Sequence, residues 1–319
     1  MNNIIPVILF VYNRPQLLAR ILDQLCIQTK EVALVIVYSD AAASSVDYVS
    51  VAQVRKLLGQ ECRLRMRVIE RDRNYGCAGN IINGISDVLA EYETAIIVED
   101  DVFPAPAFYE SMCVMLEHYG NEKNVFSVSG YPTVLPEALR DWPFDVIMSP
   151  RFTCWGWGTW ADRWERIGRR CLDKQIPYET PEDVPSHAGL DLQRAITKIK
   201  VRHGFYWDIP IALFCLKENM LHAISKWYLT NNIGADSGVH GSTSLPSQRA
   251  NKFRLKSNPL ESRCPCRFPE ATPSCEVSVA IQNYLDALHD ASRCNSGLLG
   301  TFDRIKQGIA QLLESLRQV

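Results

Sequence analysis

Three consecutive acids, Glu99-Asp100-Asp101, follow directly on the apolar run Ala95-Ile96-Ile97-Val98. Carboxylates crowded at the end of a buried strand repel one another and lose hydration, so they need a cation or strong hydrogen-bond donors. Mg²⁺ and Mn²⁺ are hard ions that take carboxylate oxygen and commonly share it with substrate phosphates. The triplet therefore predicts a divalent-metal site that handles a diphosphate. On an extended chain Glu99 and Asp101 would point to one face and Asp100 to the other. One short segment could then address both a metal and a second group. The competing reading is a strand meeting a solvated turn.

The elements that must position the triplet favour a site. Apolar runs over residues 6–12, 32–39 and 95–98, and the segment 64–70, read as strands. Between them, residues 15–28, 46–58 and 78–92 carry apolar side chains at helical spacing, as in Leu17, Leu18, Ile21, Leu22 and Leu25. Strands alternating with helices imply right-handed crossovers and an α/β fold with a mainly parallel sheet flanked by helices. Ligands of such sheets bind beyond the carboxyl ends of the strands. Those ends carry Asn13-Arg14, Asp40, Arg71-Asp72-Arg73-Asn74-Tyr75-Gly76 and the triplet, so four segments deliver polar groups to one edge.

Each of these groups has a chemical reading and a plainer one. Arg14, with Arg71 or Arg73, could supply fixed positive charge beside a phosphate, although loop arginines are commonly just solvated. Asp40 could accept hydrogen bonds from a base or ribose, or simply cap the following helix. Asn74 and Gly76 could let the backbone approach a ligand, or form an ordinary turn.

The second half is less regular. Residues 108–119 read as a helix, 125–130 as a strand and 191–203 as a helix, and 149–164 are dense in aromatics. The Ser-, Gly- and Asn-rich stretch 231–259 is expected to be a mobile loop. Residues 297–318 carry Leu298, Phe302, Ile305, Ile309, Leu312 and Leu316 in alternating steps of four and three. That helix could dock on its own domain, pair with a second copy or lie on a membrane surface.

Bulk properties exclude several classes. With 319 residues, 47% hydrophobic, the chain can bury one large α/β domain or two smaller ones. A net charge of -2 gives no basic field for nucleic acid or an anionic membrane. No stretch of about 20 apolar residues is available to span a bilayer. The apolar N-terminal run meets Asn13-Arg14-Pro15 instead of a small-residue cleavage site, so a buried strand is expected there. The eleven cysteines are mostly scattered singly, which suits reduced thiols. Cys264, Cys266, Cys275 and Cys294 lack the paired spacing of a structural zinc site.

Val98-Glu99-Asp100-Asp101-Val102, with Pro104-Ala105-Pro106-Ala107-Phe108-Tyr109-Glu110 behind it, resembles the metal-binding segment of the N-acetylglucosaminyltransferase I family. Those enzymes are GT-A fold glycosyltransferases with a Glu-Asp-Asp triplet. Further pieces agree in order: Asn13-Arg14, Asp40, the segment Cys154-Trp155-Gly156-Trp157-Gly158-Thr159-Trp160, and Tyr206-Trp207-Asp208. The resemblance covers about residues 4 to 245. It implies a GT-A, Rossmann-like domain over 1–262, with a nucleotide-sugar half (1–120) and an acceptor half (121–262), followed by a helical tail over 263–319.

The resemblance also implies roles. Asp101 would hold Mn²⁺ or Mg²⁺, with His240 as a further ligand. Glu99 and Asp100 would face ribose, donor sugar or metal-bound water. Asn13, Arg14, Asp40, Asn74 and Gly76 would contact the nucleotide, and Trp157 and Gly158 the donor sugar. Asp208 would be the base of an inverting transfer, although Ile209-Pro210-Ile211 departs from the more acidic family pattern. The donor is expected to be UDP-linked and the acceptor a glycan or glycolipid of surface polysaccharide assembly. Nucleic acid is not an expected partner. Without an anchor, a cytoplasmic enzyme is expected, at most peripheral to the inner face of the membrane. A sugar-phosphate nucleotidyltransferase should show a Gly-rich loop after strand one, where Asn13-Arg14-Pro15 stands. A non-catalytic carbohydrate-binding protein is disfavoured by the intact triplet.

Overall fold

A computed structural model describes residues 4–28, 34–132, 142–171, 177–185, 188–189, 192–193, 195–196, 206–234 and 264–271. The first half builds β1 (Val7–Val11), α1 (Pro15–Gln28), β2 (Leu34–Ser39), α2 (Tyr48–Gln60), β3 (Arg65–Glu70), α3 (Gly76–Leu89) and β4 (Thr94–Glu99) in strict alternation. Then come β5 (Val102–Pro104), α4 (Phe108–His118), β6 (Val125–Ser129), β7 (Val146–Ser149), β8 (Trp157–Trp160), α5 (Ala161–Ile167), α6 (Asp208–Lys217), β9 (Leu221–Ser225) and β10 (Thr230–Asn232).

Eight strands form one sheet in the order β3-β2-β1-β4-β8-β6-β9-β7. The first four are parallel, so their carboxyl ends share one edge. β8 runs antiparallel between β4 and β6 and joins the two halves. Alternation along β1 explains the layers. Val7, Leu9 and Val11 face the side covered by α1, α2 and α4, while Ile8 and Phe10 face α3. Leu18, Ile21, Leu22 and Leu25 of α1 are all buried on that first side, each contributing roughly 1.5–3 kcal/mol. Burial on both faces is why β1, β2 and β4 read as continuous apolar runs, whereas the edge strand β3 carries Arg65, Arg67 and Glu70 and is partly exposed.

Two expectations need correction. Asn231 and Asn232 belong to β10, which pairs antiparallel with β5 through Thr230–Pro104, Asn231–Phe103 and Asn232–Val102. They are strand because β5 offers them a backbone partner. The strand alternation expected for the triplet also fails, since β4 stops at Glu99 and Asp100-Asp101 form a turn. Most of the expected loop (235–259), His240, most of the expected helix 191–203, and the tail helix 297–318 lie outside the described residues. The nine described cysteines are unpaired thiols. Among the described residues no helix is long and apolar enough to cross a membrane.

Candidate active site

The parallel register sets Glu99 opposite Phe10, so the turn after β4 lies beside the turn after β1. There Arg14 Nη1 donates to Asp100 Oδ1 at 3.0 Å and to Asp101 Oδ2 at 2.9 Å. All three side chains are largely buried, with 19, 9 and 17% of their surface exposed. The backbone N–H of Tyr12 donates to Asp100 Oδ2 at 3.2 Å. Asp100 and Asp101 therefore act on the same cation, because the turn rotates them together.

The site still holds more carboxyl groups than the one guanidinium can pair. Burial pushes the Glu99 carboxyl well above its ordinary range, and Asp101, Asp100 and Asp208 push it further, with Arg14 opposing. Burial raises Asp100 to about 6, against the pull of Arg14. Asp208, the first residue of α6, enters the same field. It also acts on the half-buried Cys154 thiol, which desolvation and then the charges of Asp208 and Glu99 hold protonated.

The carboxyl ends of β2 and β3 are locked to each other. Asp40 is buried, and its Oδ1 accepts the backbone N–H groups of Ala41 and Tyr75, both at 2.9 Å. Asn74 Nδ2 donates to Ala41 O at 2.6 Å and to Asp40 Oδ2 at 3.3 Å. Gly76 opens α3 at φ +70°, a conformation that L side chains rarely adopt. Asn13 Nδ2 donates to Asp47 Oδ1 at 2.8 Å, and Ala43 N–H donates to the Tyr12 hydroxyl at 2.9 Å. Asn13, Arg14, Asp40, Asn74 and Gly76 thus line one edge, but Asp40 and Asn74 spend hydrogen-bonding capacity on the loops themselves. Arg71 is not poised for a phosphate. Its guanidinium lies between the rings of Tyr38 and Tyr75, at 4.7 and 4.6 Å, and Nε bonds Asn80.

Two sequence-derived donor contacts are placed elsewhere. Trp157 has no exposed surface, and its ring stacks at 6.1 Å on Trp207 and 6.3 Å on Phe126. It offers no face to a sugar, because β8 is an interior strand whose side chains are covered. Gly158 sits between Ile96 and Val128 in the sheet, where a Cβ would meet Ala95 O at 3.0 Å. It is a spacer between strands. The aromatic slab matters indirectly, since Trp207 immediately precedes Asp208 and fixes where α6 begins.

Sequence reasoning missed Tyr12, Asp47 and Gly234. Gly234 follows β10 and packs on Asp101, and Ile233 N–H donates to Asp101 O at 2.8 Å. Only Asp47 had a signal, as an acid just before a helical pattern.

Carboxylate oxygens in excess of the available cation are the donor chemistry of Mn²⁺ or Mg²⁺, and the surplus charge is what such an ion would relieve. Among the described residues no three His, Cys, Asp or Glu side chains converge closely enough to hold an ion alone. The residues fit a metal that takes its remaining ligands from water and a bound diphosphate.

Residues 7–190, more than half of the chain, match the model of Glycosyl transferase family 2. The chain belongs to that family. This family 2 sheet is mainly parallel in its first half, with the site at the carboxyl edge, consistent with a GT-A fold. No curated protein matches the chain. Solved structures similar to it include the mannosyltransferase PcManGT from Pyrobaculum calidifontis in complex with GDP-Man and Mn²⁺, at 14% identity, TM-score 0.40, over 98% of this chain and 73% of that one. S. aureus TarS 1-349 is similar at 13% identity and TM-score 0.41, over 99% of this chain and 91% of that one. Family membership sets the nucleotidyltransferase reading aside.

Proposed function

We propose that this family 2 member is a metal-dependent, inverting glycosyltransferase that moves a hexosyl or N-acetylhexosaminyl group from a nucleotide sugar to a hydroxyl of a glycan or glycolipid. The Glu-Asp-Asp resemblance to the N-acetylglucosaminyltransferase I family favours a UDP-linked donor. The observation that carries the reading is the pairing of Arg14 with both Asp100 and Asp101 at the carboxyl edge of the sheet, with Glu99 and Asp208 within electrostatic reach of each other.

The chain's own residues divide the work. The loops after β1, β2 and β3, braced by Asp40 and Asn74, form the cradle for the nucleoside. Arg14 places fixed positive charge where the diphosphate lies. Asp208 takes the proton of the acceptor hydroxyl as its oxygen attacks the anomeric carbon. The bond from that carbon to the diphosphate oxygen breaks, and its electron pair leaves with the nucleotide. Asp208 stands in the first turn of α6, where the helix dipole favours a carboxylate. A divalent ion held by Asp101, with Glu99 or Asp100 and His240 in support, would stabilise the charge on the departing diphosphate as a Lewis acid. The reading has the enzyme in the cytoplasm, at most peripheral to the inner face of the membrane, in assembly of a surface polysaccharide.

Calorimetry with UDP, with and without Mn²⁺, tests this reading. Nucleotide binding is expected to depend on metal, and turnover of a nucleotide-sugar panel to vanish in Asp101→Ala. Metal-independent UDP binding without turnover would identify a carbohydrate-binding protein instead. Product anomericity decides inversion.

A further inference from the structure

Arg14 and the triplet are more than neighbours. One guanidinium nitrogen, Nη1, touches both Asp100 and Asp101. Those oxygens are the ones a metal between β4 and a diphosphate would need. The guanidinium is largely buried, and burial opposes its charge while Asp100 and then Asp101 favour it. A buried ion pair is costly to leave half-made, so the site cannot release Arg14 unless another cation replaces it.

We propose that Arg14 is the resident counter-ion of the acidic turn and competes with the divalent metal for Asp100 and Asp101. This rests on the metal-dependent reading above. Metal loading frees the guanidinium, and an incoming diphosphate gives it a new bidentate partner. Metal without nucleotide must displace Arg14 into a site with no anion to receive it. Metal with nucleotide exchanges one ion pair for another. The exchange makes the two ligands bind cooperatively, because each supplies what the other's arrival unpairs. It also keeps the site closed to adventitious cations while the donor is absent.

The test is Mn²⁺ binding to the purified protein without nucleotide, read from the electron paramagnetic resonance signal of free Mn²⁺. Arg14→Gln is expected to bind Mn²⁺ about tenfold more tightly than wild type, since a competing cation has been removed. Equal or weaker binding in Arg14→Gln, with both proteins binding Mn²⁺, overturns the competition and leaves the metal-dependent reading standing. Mn²⁺ binding in neither protein, with or without UDP, overturns both. Because Arg14→Gln leaves two carboxylates unpaired and could misfold, the wild type gives a second measurement. The arginine Nε–H resonance missing from Arg14→Lys reports Arg14, and diamagnetic Mg²⁺ is expected to shift it as the guanidinium is released. A resonance that stays in place while Mg²⁺ saturates the site also overturns the proposal.

Discussion

Gly234 lies against Asp101 so closely that a Cβ on Gly234 would stand 2.4 Å from Asp101 Oδ2 and 2.6 Å from its Cβ. The contact exists because β10 pairs with β5, the strand that leaves the acidic turn, and Ile233 bonds the backbone of Asp101. Gly234→Ala must therefore push Asp101 off Arg14. Donor KM is expected to rise and turnover to fall by about tenfold or more, since small misplacement of a positioning group is costly. The fold should remain intact by circular dichroism. Unchanged kinetics in a folded Gly234→Ala protein would show that Asp101 has room to spare.

The acidic turn should make the metal-free protein less stable as pH rises. Asp100 goes from an ordinary 3.8 to about 6 in the fold, and Glu99 is raised as well, chiefly by burial. A carboxyl that holds its proton more tightly when folded favours the fold below its unfolded pKa, and that contribution is lost as pH rises through the folded value. Glu99→Gln is accordingly expected to raise the Tm at pH 8 by roughly 2–4 °C, or about 1 kcal/mol, while reducing turnover. At pH 4 the gain should be much smaller. A Tm at pH 8 that falls in Glu99→Gln would mean that the charged carboxylate is well satisfied.

Asp40 holds together loops that are 35 residues apart in sequence through the N–H of Tyr75. Asp40→Ala would leave that part-buried donor and the N–H of Ala41 without their acceptor, at a cost of about 0.5–1.5 kcal/mol each. Thermal unfolding should register the loss, and nucleotide affinity should fall with it. Asp40→Asn keeps one acceptor oxygen and should be milder. If Asp40→Ala lost UDP binding at unchanged Tm, the carboxylate would be a ligand contact and not a clasp.

The first half of the chain was legible because its signals are local. The apolar positions of 15–28 repeat at helical spacing, and the helix occupies Pro15–Gln28. Three of the four parallel strands were visible as apolar runs, and the polar residues at the ends of all four share one edge. What failed was decided across the sheet. Alternation predicted opposite faces for Asp100 and Asp101, but a strand end is where alternation stops. Trp157 and Gly158 were expected beside the donor sugar because their segment resembles the corresponding one of the N-acetylglucosaminyltransferase I family. Their burial is set by β4 and β6 on either side, which no local pattern reveals. The Asp40–Tyr75 clasp and the Gly234–Asp101 packing depend on distant segments in the same way.

Trp157 separates a packing role from a donor-sugar role. Its ring is enclosed by Phe126, Phe152, Trp164 and Trp207. Trp157→Ala should cost about 3–5 kcal/mol of stability, whereas Trp157→Phe should keep donor KM close to that of wild type in whatever protein remains folded. A large KM effect at unchanged stability in Trp157→Phe would return this residue to the donor site.

Asp208 begins α6 directly after the buried Trp207, so its position is set by the aromatic slab beneath it and not by a mobile loop. Its charge reaches Glu99 across the site. If it removes the acceptor proton, Asp208→Asn should lower kcat by about 10²–10⁴-fold. The affinity for UDP and metal should hold, because Asn keeps the size and the helix start. Donor hydrolysis by water needs no acceptor deprotonation by a positioned base to the same degree, so it should fall less than transfer. Equal loss of hydrolysis, transfer and UDP affinity in Asp208→Asn would instead assign the carboxylate to donor or metal binding.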